Sequence, residues 1–213
     1  MEYRWTLRGL VLVVFLLALS SSVLASETIE AGTTTNPAPA VAFATFDRFE
    51  VASIAMGSPY AGQNANDVAL KDLQADLDRR VEPWLNAKNS EPSKSDPPRV
   101  LLIEPRIEKV KFIGTSARIW AGAFAGSSAV LLRVRISDKA TGAVIAEPEF
   151  YQHAAGMAGA WSFGAADKAM LERTASLVAD YLQSNFSQAV GGPTGKASAS
   201  APPNSQGPAA VAK

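Results

Sequence analysis

Apolar and polar residues alternate most regularly between residues 130 and 136. The apolar positions are Val130, Leu132, Val134 and Ile136, with arginine between them at positions 133 and 135. This period of two residues predicts a strand that is buried on one face. The segment Asp138–Gly142, which ends in glycine, predicts a hairpin loop, and residues 143–151 then form the partner strand.

Two further strands are predicted, over residues 41–51 and 99–113. In the second of them the apolar positions change phase between Ile107 and Val110. A bulge near Glu108 and Lys109 would account for the change, because one extra residue moves the following side chains to the other face.

Two other segments carry apolar residues at three- and four-residue steps, which is the pattern of an amphipathic helix. The first stripe consists of Leu70, Leu73, Leu77, Val81 and Trp84, behind a predicted cap at Asn66; the second, within residues 167–186, consists of Met170, Leu171, Val178, Tyr181 and Leu182. The order strand, helix, three strands, helix predicts an α+β fold. We expect a mainly antiparallel sheet of about four strands with two helices packed on one face, in a strand order that the sequence leaves open.

The first 25 residues have the three parts of a secretory signal peptide. Arg4 and Arg8 precede an apolar run over residues 9–19, and Ala25 stands before the expected cleavage point at Ser26. A spanning helix needs roughly 20 apolar residues, so this leader is expected to be removed and to leave no transmembrane helix. Without an Arg-Arg pair in the leader, we expect the general secretory route and a periplasmic location.

Both flanks of the central region lack hydrophobic periodicity. Residues 26–40 are rich in Thr, Ala and Pro, and residues 190–213 are mostly Gly, Pro, Ala and Ser. Such composition buries too little apolar surface to offset the entropy of ordering the chain. We therefore predict a disordered linker, a single domain over residues 41–189, and a disordered tail.

Charge and cysteine content exclude several classes of function. The chain has 20 basic and 20 acidic residues and no cysteine, so it carries no electrostatic footprint for nucleic acid. A lipid anchor and a disulfide framework both require cysteine. His153 is the single histidine, too few for a zinc site of nitrogen and sulfur ligands. We expect no nucleic-acid partner, no lipid anchor, no metal or other cofactor, and no catalytic residue.

Two Gly/Ala-rich segments, residues 119–132 and 154–166, contain the candidate binding residues Trp120, Phe124 and Trp161. One interpretation is a surface that docks a partner through these aromatic anchors. The other is that small residues allow tight turns and close packing, with the aromatic side chains in the core.

Arg133 and Arg135 are further candidates, because both point to the same side of their strand. They would either bind an anionic group or protect an exposed sheet face from unwanted association.

From Leu101 onward the chain resembles the domain of unknown function 4410 family, whose members are uncharacterised exported proteins of the Gram-negative envelope. The resemblance is carried by residues 114–118 (GTSAR), residues 121–127, the strand VLLRVRI, and the loop 138–142 followed by Ile145-Ala146. It implies an envelope location and transfers no enzymatic residues. Members are often lipoproteins, and this chain departs from them in having no cysteine at the end of the leader.

These observations favour an exported, non-enzymatic accessory of a cell-envelope complex, with an envelope protein as its partner. One alternative is a periplasmic module that binds a small anion or glycan at Arg133 and Arg135. A hydrolase is the remote third alternative, since a histidine and many serine and aspartate residues are present.

Overall fold

The computed structural model describes residues 29–112, 128–154 and 164–197. In chain order these residues form β1 (Thr35–Asn36), a 3₁₀ turn (Phe43–Thr45), β2 (Arg48–Val51), β3 (Ala55–Met56), α1 (Asn64–Asn89), β4 (Val100–Lys111), β5 (Ala129–Asp138), β6 (Val144–Ala146), β7 (Glu149–His153), α2 (Ala165–Ser187) and β8 (Gly192–Pro193). Neither α1 nor α2 is long and apolar enough to cross a membrane.

The main sheet has six strands and is mixed rather than mainly antiparallel. Its order is β2-β4-β5-β6, with β3 also paired to β4 and β7 also paired to β5. Strands β2 and β3 run parallel to β4, and the remaining pairs are antiparallel. The parallel pairing follows from α1, because a helix that connects neighbouring strands returns the chain in the same direction.

The prediction of an α+β fold is confirmed, and the predicted count of about four strands is wrong for an identifiable reason. One predicted strand is divided into two short strands, and one further short strand lies beyond the predicted limits of another. In the segment predicted as one strand over residues 143–151, Pro148 separates β6 from β7, because proline cannot donate a hydrogen bond to the ladder. The segment 41–51 begins with the 3₁₀ turn, and β3 follows as a separate strand. The bulge predicted near Glu108 is confirmed, since the register between β4 and β5 shifts between Ile107 and Lys109.

Both helices pack on one face of the sheet and against each other. α2 lies within two residues of its predicted limits at each end. α1 starts at Asn64, so Asn66 is not its cap; the Asn66 side chain instead donates to the Tyr60 carbonyl at 2.9 Å. Buried apolar side chains of both helices and of the sheet form the main core, which includes Leu73, Leu77, Leu101, Ile103, Leu132, Ile136, Phe150, Met170 and Leu182.

The edge formed by β2 and the residues after it is closed by side-chain amides of α1. The Phe49 N–H donates to Asn89 Oδ1 at 2.8 Å, and Asn89 Nδ2 donates to the Phe49 carbonyl at 2.9 Å. The Ile54 N–H donates to Gln74 Oε1 at 2.7 Å. Because an unpaired edge strand is a template for association, these amides close this edge to a further strand.

The opposite edge, along β7, is closed by the two ends of the described chain. We call residues 29–36 and 191–197 together the terminal clasp. Its two parts pair antiparallel as β1 and β8. Asn36 bonds both backbone groups of Glu149, accepting from its N–H at 2.7 Å and donating to its carbonyl at 2.8 Å. The Tyr151 N–H donates to the Thr194 carbonyl at 2.7 Å.

The terminal clasp corrects the predicted domain limits. Residues 29–40 and 191–197 belong to the fold, although the sequence predicted a disordered linker over 26–40 and a disordered tail over 190–213. Backbone pairing and buried polar side chains such as Thr194 hold them, and neither produces hydrophobic periodicity. Residues 26–28 and 198–213, like the leader, lie outside the described residues.

The loop between α1 and β4 is organised by one buried carboxylate. Asp47, with 7% of its surface exposed, accepts hydrogen bonds from the Ser95 hydroxyl and from the backbone N–H groups of Lys94 at 2.6 Å and Arg99 at 2.9 Å. These bonds, the one from Ser95 most of all, hold the pKa of Asp47 well below its usual range.

We expect Asp47→Asn to make the fold less sensitive to acid. Because the folded-state pKa lies below the unfolded value of about 3.9, the carboxylate stabilises the fold above that pH, and its contribution is lost as the pH falls further. At neutral pH the variant should unfold at a lower urea concentration than wild type. The difference between the two urea midpoints should become smaller between about pH 5 and pH 2.

The control for Asp47→Asn is Asp180→Asn, which removes one exposed carboxylate from α2. Urea midpoints of the three proteins across the pH range make the comparison. A gap between wild type and Asp47→Asn that stays constant with pH would contradict the assignment.

Candidate functional site

The face of the sheet that points away from the helices carries arginine and glutamate side chains in place of apolar ones. Leu132, Val134 and Ile136 are buried in the core, so the intervening side chains of β5 point the other way. We call this surface the charged face; it consists of Glu104, Arg106, Glu108, Arg133, Arg135, Glu147 and Glu149.

The two arginines predicted from the sequence both lie on the charged face, and each lies between two glutamates. Arg133 Nη2 is 2.6 Å from Glu149 Oε1, and its Nε is 3.9 Å from Glu108 Oε1. Arg135 Nη1 is 3.5 Å from Glu104 Oε2, and its Nε is 3.8 Å from Glu147 Oε1. An incoming anion would therefore compete with carboxylates already in place, although ion pairs this exposed contribute little stability.

Arg106 is the member of the charged face that the sequence analysis missed. It is the register partner of Arg133 across β4 and β5, and its side chain is 59% exposed. A Cβ at Gly57 would stand 2.9 Å from Arg106 Nη2, so glycine there leaves room for the guanidinium. The signal was available, because Glu104, Arg106 and Glu108 alternate with apolar residues of β4.

The other predicted binding residues, Trp120, Phe124 and Trp161, lie outside the described residues, and so does the predicted cleavage point at Ala25 and Ser26. The structure shows where the chain enters and leaves residues 113–127 and where it enters residues 155–163. Lys111 at the end of β4 pairs with Ala129 at the start of β5, and Ala129 pairs with His153 at the end of β7. Both ends of segment 113–127 and the first end of segment 155–163 therefore lie together, at one end of three adjacent strands.

The same end of the sheet carries a small apolar cluster on its outer face. Ile29 and Ala31 of the terminal clasp pack there on Ala129, Leu131 and Tyr151. This cluster is separate from the main core. Here the start of the described chain contacts the sheet near the points where the chain enters residues 113–127 and 155–163.

His153 lies at this end of β7 and is exposed. Its ring stacks on Tyr151 with a centroid separation of 5.9 Å, and its carbonyl accepts from Arg173 Nη2 at 3.0 Å. Within the part of the chain that the structure describes, no group of three or more His, Asp or Glu side chains is placed to hold a metal ion.

A cleft of about 190 Å³ lies between α1 and the segment that joins β2 to β3. Its floor is apolar and its rim polar; the lining residues are Val51, Ser53, Gln74, Leu77, Asp78, Val81 and Glu82. The Gln74 amide is already engaged, since it accepts from Ile54 and donates to Asp78 Oδ1 at 2.6 Å.

No protein-family model and no curated protein matches this chain. Solved structures do align with it at low similarity. The PelC dodecamer from Paraburkholderia phytofirmans is 17% identical with a TM-score of 0.35, over 68% of this chain and 97% of that one. A variant PelC dodecamer in another crystal form is 14% identical with a TM-score of 0.36, over 67% and 92%. A DUF330 protein from Xanthomonas campestris is 18% identical with a TM-score of 0.34, over 73% and 90%. At this level they are likenesses alone, and no function is transferred from them.

Proposed function

We propose that this protein is an exported, periplasmic and non-enzymatic accessory of a cell-envelope complex, and that it docks an envelope protein through its two Gly/Ala-rich segments. The observation that carries the proposal is the placement of those segments. Both ends of residues 113–127, which contain Trp120 and Phe124, and the first end of residues 155–163, which contain Trp161, are joined to the fold at one end of three adjacent strands. Aromatic side chains are typical anchors of a protein interface.

Two features of the sequence support the same proposal. The leader directs the chain to the export route, and the resemblance to the domain of unknown function 4410 family implies an envelope location. Both stay predictions of the sequence analysis. The charged face is a less suitable docking surface, because its arginines are already paired with glutamates and a partner would have to desolvate them.

The test is crosslinking in intact envelopes followed by purification of the protein and whatever is bound to it. We expect wild type to capture one envelope protein in stoichiometric amount, and Trp120→Asp and Trp161→Asp each to reduce that capture roughly 30-fold, as loss of an interface anchor does. Val68→Asp is the matched control, since Val68 is an apolar residue of α1 that is 52% exposed and distant from these segments in the sequence. Equal capture by folded Trp variants would overturn the docking role.

The alternative function, binding of a small anion or glycan, is favoured by one observation. Arg106 and Arg133 are register partners with side chains 59% and 42% exposed, and two guanidinium groups suit a phosphate or carboxylate. Millimolar phosphate should then raise the melting temperature of wild type and leave that of Arg133→Gln unchanged. A melting temperature that phosphate does not move would exclude this alternative for phosphate.

A further inference from the structure

The sheet edge along β2 has one open position between the two side-chain amides that close it. The Ala52 N–H donates to the Ile103 carbonyl of β4 at 2.9 Å. The N–H and the carbonyl of Phe49 point away from β4, and the Asn89 amide bonds both of them. Because backbone groups at every second residue of a strand face the same side, the N–H and the carbonyl of Val51 also point away from β4.

Val51 lines the cleft of about 190 Å³ beside α1. Within the described residues no side chain bonds the outward N–H or carbonyl of Val51, whereas Asn89 bonds Phe49 before it and Gln74 bonds Ile54 after it. A whole strand therefore cannot add to this edge. A single peptide residue can, because it needs one free pair of backbone groups.

The side of the cleft that α1 forms is acidic. Asp78 and Glu82 lie one helical turn apart and both line the cleft, and like charges at this spacing destabilise a helix. Asp78 accepts from the neutral amide of Gln74 at 2.6 Å. In the part of the chain that the structure describes, neither carboxylate forms an ion pair, since Arg79 pairs with Asp76 instead. A cationic group entering the cleft would relieve this repulsion.

The floor between the open edge and the two carboxylates is apolar. Leu77 and Val81 of α1 are each 2% exposed, and Val51 completes the floor from the sheet side. An ammonium group on an aliphatic stem suits this arrangement, because the stem covers apolar surface while the charged end stays in water. A lysine residue in an extended peptide combines such a side chain with a backbone N–H and carbonyl.

We propose that the cleft binds a lysine residue of an extended peptide. The peptide backbone bonds the N–H and the carbonyl of Val51, as the Asn89 amide bonds those of Phe49, and the lysine ammonium pairs with Asp78 and Glu82. Main-chain bonds give affinity and the side-chain pocket gives specificity, as in the addition of a peptide to a sheet edge. The site includes no part of the Gly/Ala-rich segments, so it does not depend on the proposed function.

The probe is N-acetyl-lysine N-methylamide, a single lysine residue with an amide on each side. It is titrated into the isotope-labelled, full-length protein, and the backbone amide resonances are followed. We expect a dissociation constant of about 1 mM, the affinity of a fragment of this size, with the largest changes at Val51 and Ser53. In the free protein the Val51 amide should exchange roughly tenfold faster than the Phe49 amide, and saturating probe should slow it.

Two further probes separate the charge from the backbone. N-acetyl-norleucine N-methylamide has no ammonium and should bind about fivefold more weakly. Butylammonium has no amide, should bind about tenfold more weakly, and should leave exchange at Val51 unchanged.

A pair of variants tests the carboxylates without a risk to folding. Glu82→Gln removes one exposed carboxylate of the cleft and should weaken binding of the lysine probe about threefold. Glu172→Gln removes an exposed carboxylate from α2 instead and should bind the probe as wild type does.

Three results would each overturn the proposal. The first is the absence of any change at Val51 at a lysine-probe concentration about 50-fold above the expected dissociation constant. The second is equal binding of the lysine and norleucine probes, which would show that the carboxylates select nothing. The third is a Val51 amide that exchanges as slowly as the Phe49 amide in the free protein, because the edge would then be closed at Val51.

Discussion

Replacing Gly191 by alanine should lower the free energy of unfolding by roughly 3 kcal/mol. Gly191 has a φ of +79°, and a Cβ there would stand 2.4 Å from the Asn36 carbonyl oxygen. The left-handed conformation costs a non-glycine residue about 1–2 kcal/mol. The overlap adds a similar amount, because the obstacle is backbone that is itself held by the pairing of β1 with β8.

Gly195 offers a second test, at the contact between the terminal clasp and β7. Its φ is +88°, and a Cβ would stand 2.3 Å from the Tyr151 carbonyl oxygen. We expect Gly195→Ala to destabilise the fold by a similar amount. It should also release residues 29–31 from the outer face, so amide exchange at Tyr151 should accelerate more than exchange in the core of β5.

Gly142→Ala is the matched control for both glycines. Gly142 also has a positive φ, +71°, but nothing lies within 4 Å of a Cβ there. The substitution therefore adds strain without overlap, and we expect a loss of about 1 kcal/mol. Urea unfolding of the three variants measures the difference. If Gly142→Ala lost as much as Gly191→Ala, the overlap of the added Cβ with the Asn36 carbonyl would add nothing to the loss.

The elements that the sequence predicted correctly are those whose signal is apolar and local. α2 was predicted within two residues at each end, and β5 from the alternation over residues 130–136. The bulge in β4 was predicted because its apolar residues change phase. In each case one face of the element is buried, and a buried face requires apolar residues at a regular spacing in the sequence.

The terminal clasp could not be predicted in the same way. It is held by backbone pairing, by glycines that allow close approach, and by side-chain amides such as those of Asn36 and Asn185. None of these has a period, and the composition of both segments is the one usually found in disordered chain. A polar residue in such a flank stabilises the fold only through a partner more than 100 residues away, as Asn36 does by bonding Glu149.

Only the part of the charged face that lies on β5 was predicted from the sequence. Alternation showed that Arg133 and Arg135 share a side of β5, but their glutamate partners lie on β4, on β7 and beside β6. Which strands are neighbours depends on tertiary packing, so neither the ion pairs nor the pairing of Arg106 with Arg133 across two strands could be read locally. The pairing favours the interpretation that these arginines protect the sheet face.

The buried amide of Asn185 connects α2 to the terminal clasp. Asn185 has no exposed surface. Its Oδ1 accepts from the N–H groups of Val190 and Gly191, both at 2.8 Å, and its Nδ2 donates to the carbonyls of Tyr181 at 2.8 Å and Gly191 at 2.9 Å. The side chain thus satisfies the turn that leads from α2 into β8.

Asn185→Ala should lower the free energy of unfolding by roughly 3 kcal/mol, because each buried backbone group left without a partner costs about 1–3 kcal/mol and solvent can recover only part of that loss. Gln188→Ala, three residues further on at an exposed position, should change stability by less than about 0.5 kcal/mol. A loss below about 1 kcal/mol for Asn185→Ala would mean that water replaces the amide at little cost.

Asn185→Asp separates the accepting role of this side chain from its donating role. A carboxylate still accepts from Val190 and Gly191, but it faces the carbonyls of Tyr181 and Gly191 without a proton to donate. We expect burial and these two carbonyls to outweigh the N–H donors of Val190 and Gly191, and so to raise the pKa of the introduced carboxyl above its unfolded value of about 3.9. A raised folded-state pKa gives stability that is present below the unfolded pKa and lost as the pH rises through the folded one. Relative to wild type, Asn185→Asp should therefore be more stable near pH 4 than near pH 7. The stability that Asn185→Ala loses should not depend on pH.

Urea unfolding of both variants and of wild type at the two pH values measures these differences in stability. Stability of Asn185→Asp equal to that of wild type at both pH values would show that the amide donates nothing essential, and that the turn into the clasp needs only an acceptor.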